Sequence, residues 1–369
     1  MRATKAVINE EALLHNLQRI QNLAPKSEVI AVIKANAYGH GIEQVANILK
    51  GKVNLFGVAC TEEAILLRES GISERIVLLE GLFEAEELAL VDHYNLELVI
   101  HSQYQIDAIN DFHPQDPITI WLKLDSGMHR LGFSPEDFID EHQRLVKSGK
   151  VKLPIGLMTH FSDADDPTLA TTQKQHGLFK KLTANFLGPR TEANSAAIMA
   201  WPETHQSHIR PGLLLYGCSP LLDKEGAQHG LKPVMTLESQ LIAINKVNKN
   251  ETVGYGSTWK TDKDTHIGVI AIGYGDGYPR HAKSGTPVWI NNRLVSMVGR
   301  VSMDMITVDL GMDCTDQIGD RVILWGPELP LERIAACANT VSYELLCGIS
   351  RRVKFTYCTK HEPSVINMK

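Results

Sequence analysis

Lys34 closes the apolar run Val29–Ile33, which is rich in β-branched residues and reads as a buried strand. An ammonium at the end of such a strand is unfavourable unless it is paired, neutral or used covalently. Small residues, Tyr38 and the glycines Gly39 and Gly41 follow, and the amphipathic stretch Ile42–Leu49 reads as a helix. Strand, lysine, glycine-bearing turn and helix together present one reactive amine at the carboxyl end of a strand. Other polar residues stand at comparable ends. Lys123, Asp125 and Arg130 close or follow Ile118–Leu124, and His160 follows Ile155–Thr159. Asn194 and Ser195 end Thr191–Asn194, and Arg210, Pro211 and Gly212 end Ser207–Arg210. The plainer reading of Lys34 is a lysine that closes a strand and faces water.

The elements that must position these residues repeat along the chain. After a first helical pattern at Glu11–Leu23, the apolar runs are Val29–Ile33, Leu55–Ala59, Arg75–Leu79, Leu96–Ile100, Ile118–Leu124, Ile155–Thr159, Thr191–Asn194 and Ser207–Arg210. Helical patterns lie between them, at Ile42–Leu49, Thr61–Glu69, Glu84–Val91, Gln103–Asn110, Pro135–Lys147, Leu169–Phe186 and Ala196–Trp201. Thr61 and the pair Ser134-Pro135 read as helix starts. Eight strands alternating with helices predict an α/β chain with an N-terminal (β/α)8 TIM-type barrel. The alternative is an open, doubly wound sheet, whose Gly-x-Gly-x-x-Gly turn after the first strand is missing here.

Near Gly230 the rhythm stops. Alternating, β-branched runs take over at Thr236–Val247, His266–Ile272, Pro287–Ile290, Leu294–Val298, Ile306–Leu310 and Arg321–Leu324. One helix, Leu331–Ala338, interrupts, and Arg352–Tyr357 closes as a strand. The expectation is a barrel domain over residues 1–231 and a mostly β C-terminal domain over 232–369, since 369 residues exceed one ordinary core.

Composition narrows the partners. Hydrophobic content is 43% and charged content 22%, as in a soluble globular protein, and the net charge of −6 offers no footprint for nucleic acid or an anionic membrane. No apolar run is long enough to span a bilayer, and the first residues lack a signal core. The six cysteines are scattered without a Cys-x-x-Cys pair, so reduced thiols in a cytoplasmic protein are expected.

Barrels place chemistry on the loops after their strands, and often bind phosphate after the seventh and eighth. Here that region offers Ser195 at a helix start and the Gly212-Leu213 backbone, although a lone serine there is more often an ordinary cap. A phosphate group plus an imine-forming lysine points to pyridoxal 5'-phosphate. A phosphorylated sugar on an aldolase-type lysine satisfies the same two facts.

Longer motifs carry a resemblance. Lys34-Ala-Asn-Ala-Tyr-Gly-His-Gly, Lys123-Leu-Asp-Ser-Gly-Met-His-Arg-Leu-Gly-Phe, His160-Phe-Ser, Ala193-Asn-Ser and Arg210-Pro-Gly resemble the alanine racemases. Val253-Gly-Tyr-Gly-Ser-Thr, Gly273-Tyr-Gly-Asp-Gly, Gly299-Arg-Val-Ser-Met-Asp and Ser342-Tyr-Glu continue it through the second half. Ser302 stands where some members carry cysteine, another small side chain. The resemblance implies that Lys34 holds pyridoxal 5'-phosphate as an imine and acts as one base. Tyr38, Ser195, the Gly212 and Leu213 amides and Tyr343 bind its phosphate, with Asn194 and His160 among the cofactor-binding residues. Arg210 faces the pyridine nitrogen. Tyr255, from the other subunit of a homodimer, is the second base, and His160 links it to Arg210. Arg130 and the amide of the partner's Met303 hold the carboxylate of alanine. Lys123, at a position often carbamylated in the family, orients Arg130, and Tyr274 and Asp304 are supporting residues.

Those roles are chemically coherent. Racemisation removes the Cα proton from one face and returns it on the other, so two bases on opposite faces suffice once the cofactor withdraws electrons. Plainer readings stand beside them. Tyr255 between two glycines also reads as a turn aromatic, and Met303-Asp304 as a core methionine beside a turn aspartate, the more common case. Gly273-x-Gly-x-Gly277 lacks the βαβ setting of a nucleotide turn. Asp163, Asp165 and Asp166 after His160 read as a solvated helix entrance, and no metal is expected. Two further functions compete. A decarboxylase of basic amino acids shares the architecture but lacks the Tyr255 and Met303 motifs, and a barrel-only cofactor carrier lacks the second domain.

Overall fold

A computed structural model of the chain describes residues 2–222 and 224–359. Two compact units emerge. Leu17–Leu215 makes up most of one, and the chain from Lys224 most of the other, which also takes in the N-terminal residues through Asn16 and the segment Tyr216–Ser219.

The first strand, β1 (Lys5–Asn9), is followed by eight parallel strands: β2 (Glu28–Val32), β3 (Leu55–Val58), β4 (Arg75–Leu78), β5 (Glu97–Ile100), β6 (Ile120–Lys123), β7 (Gly156–Met158), β8 (Arg190–Asn194) and β9 (His208–Arg210). Each pairs with the next, and β9 returns to β2 through Val29 and Ile209, closing the predicted barrel. The strands are nearly continuous apolar runs because helices cover the outside while side chains fill the inside. Ile30, Leu55, Val77, Val99, Trp121 and Met158 form that filling. Gly156 is glycine because any Cβ there would strike the Trp121 indole. The indole Nε1 donates to the buried Glu97 carboxylate at 2.9 Å, and Arg75 donates to the same group, so the polar atoms at this level are satisfied.

The helices between strands fall where the periodicity placed them, at Ile42–Leu49, Thr61–Glu69, Leu88–His93, Gln103–Asp111, Phe138–Ser148, Thr171–Thr183 and Ser195–Ala200. Two starts differ. Thr61 is the first helical residue rather than a cap, and its hydroxyl donates to Glu87 at 2.7 Å. Pro135 stands before its helix, which begins at Phe138 after a turn in which the Asp137 amide donates to the Ser134 hydroxyl at 3.2 Å.

The second unit is mostly β, as expected. Its strands are β10 (Met235–Val247), the small pair β11 (Thr252–Val253) and β12 (Trp259–Lys260), β13 (Thr265–Ile270), β14 (Pro287–Ile290), β15 (Arg293–Met297), β16 (Ile306–Gly311), β17 (Arg321–Trp325) and β18 (Lys354–Cys358). The main sheet runs β13-β16-β15-β14-β17-β10-β1-β18, and β13 also pairs with β10. A single cut at residue 231 therefore does not describe this unit, because β1 lies inside its sheet. Ala6 and Ile8 point inward on alternate positions, and β1 is antiparallel to β10 and parallel to β18. The helix Ser342–Cys347 and the β11–β12 pair have no counterpart in the sequence reading. Among the described residues no helix is long and apolar enough to cross a membrane.

Candidate active site

Lys34 stands two residues past the end of β2, and its Nζ lies 3.2 Å from Oε1 of Glu80, two residues past the end of β4. The backbone after it is left-handed. Ala35, Asn36, Ala37 and Tyr38 all have φ between 51° and 55°, a conformation that L-residues avoid, and Gly39 continues it at 76°. Side chains hold this turn from several directions. Glu63 accepts the Ala35 amide at 2.7 Å and the Ala59 amide at 2.9 Å. Asn36 accepts the Ile42 amide at 3.0 Å, starting the next helix. His40 folds back so that Nδ1 meets the carbonyls of Ala37 and Tyr38 at 3.0 and 2.9 Å. Complete burial pushes the His40 pKa down to about 4, so the ring is neutral and Nδ1–H is the donor to both.

The turn aims Tyr38 at the end of β9. A Cβ on Gly212 would collide with the Tyr38 hydroxyl, so only glycine fits there. Ser195 joins the same cluster: its Oγ accepts the Gly212 amide at 2.9 Å and the Leu214 amide at 3.4 Å. It is therefore not the helix cap. Asn194 fills that post, accepting the Ala197 amide at 3.0 Å, and the structure gives Asn194 this capping contact rather than a place in the hydroxyl cluster. Leu213 is buried at the start of the next short turn.

Beyond the cluster lies a buried guanidinium. Arg210 donates to Thr191 Oγ1 at 2.8 Å, the Thr159 carbonyl at 2.7 Å, the Glu192 carbonyl at 3.1 Å and His160 Nδ1 at 3.1 Å. Burial lowers its pKa to about 10, opposed by the Glu192 carboxylate, and it stays charged at neutral pH. Burial and then the Arg210 charge hold His160 well below the ordinary histidine range. Lys123, at the end of β6, is buried; desolvation, then Arg210, Arg130 and Lys34, lower its pKa to about 7. Arg130 follows on an ordered loop. Asp125 Oδ1 accepts the amides of Gly127, Met128 and His129 at 2.9, 3.0 and 3.0 Å. Burial opposes the Asp125 charge, but these amides and His129 hold its carboxyl below the usual range.

In the second unit, Tyr255 opens a short turn between Gly254 (φ 77°) and Gly256 (φ 72°), and it is 70% exposed. Tyr255 is thus a turn aromatic whose ring is open to a partner. Met303 is 53% exposed, so it is not a core methionine. Tyr274 and Tyr343 are also exposed, and Arg280 stacks 5.9 Å from the Tyr274 ring centre. Asp304 accepts Arg352 Nη2 at 2.6 Å.

The barrel thus brings together Lys34, Tyr38, Lys123, His160, Ser195, Arg210 and Gly212. Glu63, Glu80 and His40 escaped the sequence reading. Glu80 and His101, which meet through a 2.9 Å contact of the ring with the Glu80 carbonyl, follow β4 and β5, where the rule about strand ends also applies. His40 and Glu63 carry no such positional signal.

The residues present fit pyridoxal 5'-phosphate. They supply an amine at a strand end, an anion cradle of two hydroxyls and a glycine backbone that tolerates no side chain, and a buried guanidinium for a ring nitrogen.

Comparison with known proteins agrees. Residues 8–220 match the family described as "Alanine racemase, N-terminal domain", and residues 234–357 match "Alanine racemase, C-terminal domain". The chain is 48% identical over 357 residues to an alanine racemase of Yersinia pestis bv. Antiqua (strain Angola), covering 97% of this chain and 99% of that one. It is 49% identical over 349 residues to one from Shewanella woodyi, covering 95% and 97%. The crystal structure of a biosynthetic alanine racemase from Pseudomonas aeruginosa superposes with a TM-score of 0.94 at 42% identity, covering 97% of this chain and 100% of that one. An alanine racemase from Acinetobacter baumannii gives 0.91 at 36% identity, covering 97% and 100%.

Proposed function

This chain belongs to the alanine racemase family, and we propose that it interconverts L- and D-alanine with two bases, Lys34 on one face of the substrate and Tyr255 of the partner subunit on the other. One observation carries the reading: in a chain matching curated racemases over 97% of its length, the strand-end lysine sits in the same barrel mouth as the Tyr38–Ser195–Gly212 cluster.

Pyridoxal 5'-phosphate supplies the electron sink that makes the substrate Cα proton acidic. Everything else falls to the chain's own side chains and backbone amides. Tyr38, Ser195 and the amides at Gly212 and Leu213 would hold its phosphate, with Tyr343 as a further donor. Arg210 would face the pyridine nitrogen of the bound cofactor as a hydrogen-bond donor. A guanidinium does not give up its proton, so it would leave that nitrogen unprotonated. His160 accepts from Arg210 at Nδ1, and its Nε2–H would then serve the phenol oxygen of the partner's Tyr255. Arg130, oriented by Lys123, and the Met303 amide hold the carboxylate, and Tyr274 and Asp304 support that loop. Lys34 and Tyr255 each take or return one proton at Cα.

A homodimer follows from this division, because two contributions come from a second copy. The unit built mostly from Leu17–Leu215 carries Lys34 and the cofactor-binding residues of the barrel, and the other unit carries the residues offered to the partner subunit. A cytoplasmic setting agrees with six free cysteines among the described residues. The reaction either supplies D-alanine for peptidoglycan or serves alanine breakdown.

The test is chiral chromatography of L-alanine incubated with the cofactor-loaded protein, with carbon dioxide followed in parallel. Equal amounts of the two enantiomers and no gas are expected. Gas release with an amine product would replace the reading with a decarboxylase.

A further inference from the structure

In the motif Gly273-Tyr-Gly-Asp-Gly277 only Tyr274 has a supporting part in the two-base scheme, yet the whole motif forms a built turn. The Tyr274 amide donates to the Ser302 carbonyl at 3.0 Å, and the Gly275 amide donates to the Met303 carbonyl at 2.8 Å. Ser302 C=O and Met303 N–H belong to one planar trans peptide, so fixing the first aims the second away from the turn. A Cβ on Gly273 would strike the Ser302 carbonyl, and one on Gly275 would lie 3.0 Å from the Met303 oxygen. The glycine spacing thus serves close approach of two backbones.

Charge locks this seat. Asp276 is fully buried; its Oδ2 accepts the Gly273 amide at 2.9 Å and Arg2 Nη2 at 2.5 Å, and its Oδ1 faces Arg352 Nε at 3.2 Å. Arg2 also donates to the Asp304 carbonyl at 2.9 Å, and Arg352 to the Asp304 carboxylate at 2.6 Å. Both arginines reach Asp276 because they precede strands that lie side by side, β1 and β18, paired through Lys5 and Lys354. A buried carboxylate between two guanidiniums holds one geometry strongly and loses it when either sign is removed.

We propose that Asp276, with Arg2 and Arg352, is the positioning residue that fixes the Met303 amide for the substrate carboxylate. The proposal rests on the reading of Met303 given above. The charge cluster touches no reacting atom; it acts through the 302–303 peptide.

The experiment uses the holoenzyme with Asp276→Asn. KM for L-alanine and for D-alanine should rise by one common factor of about ten, because both carry the same carboxylate and one charge-assisted contact is weakened. The turnover number should stay within about threefold, as expected for loss of binding shared by ground and transition states. Calorimetric Kd for propionate, a carboxylate without the amine, should weaken by the same factor, with the visible cofactor band unchanged. Met303→Pro, which removes the N–H itself, separates the two ideas. If it weakens propionate binding while Asp276→Asn does not, the positioning role is overturned and the Met303 reading stands. If neither weakens it, the Met303 reading fails. Loss of the cofactor band in Asp276→Asn shows a general structural role and also overturns the proposal. If Asp276→Asn does not fold, Arg2→Gln and Arg352→Gln decide, each with about threefold weaker propionate binding expected.

Discussion

Arg210 Nη2 donates to Nδ1 of His160 at 3.1 Å, and this single contact fixes the tautomer of the imidazole. Arginine has no acceptor, so Nδ1 is the bare nitrogen and the ring proton sits on Nε2. Burial and the Arg210 charge keep the second proton off.

The first prediction follows from that tautomer. His160→Phe should slow Cα exchange on the Tyr255 face by about a hundredfold, the size of one acid–base contribution, and leave the Lys34 face much less affected. Single-turnover exchange of Cα-deuterated L- and D-alanine measures the two faces separately. Equal losses on both faces would contradict the link. In the parent, nitrogen-15 spectra should show a neutral Nε2–H ring at position 160 throughout the neutral range.

Lys123 gives a pH prediction with a definite sign. Its pKa falls from 10.5 to about 7 on folding, so between those values the unfolded chain carries a proton that the folded chain does not. Stability on its account rises as pH rises from about 7 toward 10.5, and below 7 the penalty of a buried ammonium is fully present. The thermal midpoint of the parent, relative to Lys123→Met, should improve between pH 6.5 and 9. A gap that narrows as pH falls instead would count against a buried, discharging lysine. The neutral amine also adds to carbon dioxide, releasing a proton and forming a carbamate. Carbon-13 bicarbonate should therefore label this residue above neutral pH, read by nuclear magnetic resonance.

Ala35 offers a test of the left-handed turn. Glycine usually weakens a helix, but Ala35 is exposed with φ 53°, where a Cβ is strained. Ala35→Gly should stabilise the apoprotein by about 1 kcal/mol, seen as a raised denaturation midpoint. A loss of that size would mean the turn is ordinary helix in solution.

Arg210→Glu should raise pyruvate formation, the mark of transamination, relative to racemisation, because an acid facing the pyridine nitrogen allows protonation there. Pyruvate coupled to lactate dehydrogenase gives the ratio. An unchanged ratio would leave Arg210 as a structural guanidinium only.

Subunit mixing tests the shared site. Lys34→Ala should abolish the imine absorbance and activity, and Tyr255→Ala should keep the absorbance and lose exchange on one face. Combined, the two inactive proteins should regain part of the activity, since a mixed dimer holds one site with both bases. No recovery after verified exchange would mean that Tyr255 serves its own chain.

Much of this was legible in advance, for a physical reason. The eight barrel strands are buried on both faces, so apolar runs such as Leu55–Val58 and Ile120–Lys123 mark them within a residue or two. Pro287–Ile290 was legible because alternation shows a half-buried strand. The left-handed turn was not legible, since Ala35–Tyr38 contains no glycine and the groups that hold it, Glu63 and the folded-back His40, act through space. Strand β1 was also hidden: five residues carry little periodicity, and its partners β10 and β18 lie far along the chain. Ser195 shows the reverse case. Its position suggested a cap, but Asn194 competes for that post and frees the serine hydroxyl for the Gly212 amide.

The pairing of β1 with β18 also bears on biogenesis. Ile8 accepts from Cys358 across nearly the whole polypeptide, whereas the barrel needs only residues between Glu28 and Arg210. During translation the barrel strands are all available while β18 is still unmade, and distant closure is the slow kind. Strand β1 must wait, unpaired on that edge, until β18 leaves the ribosome.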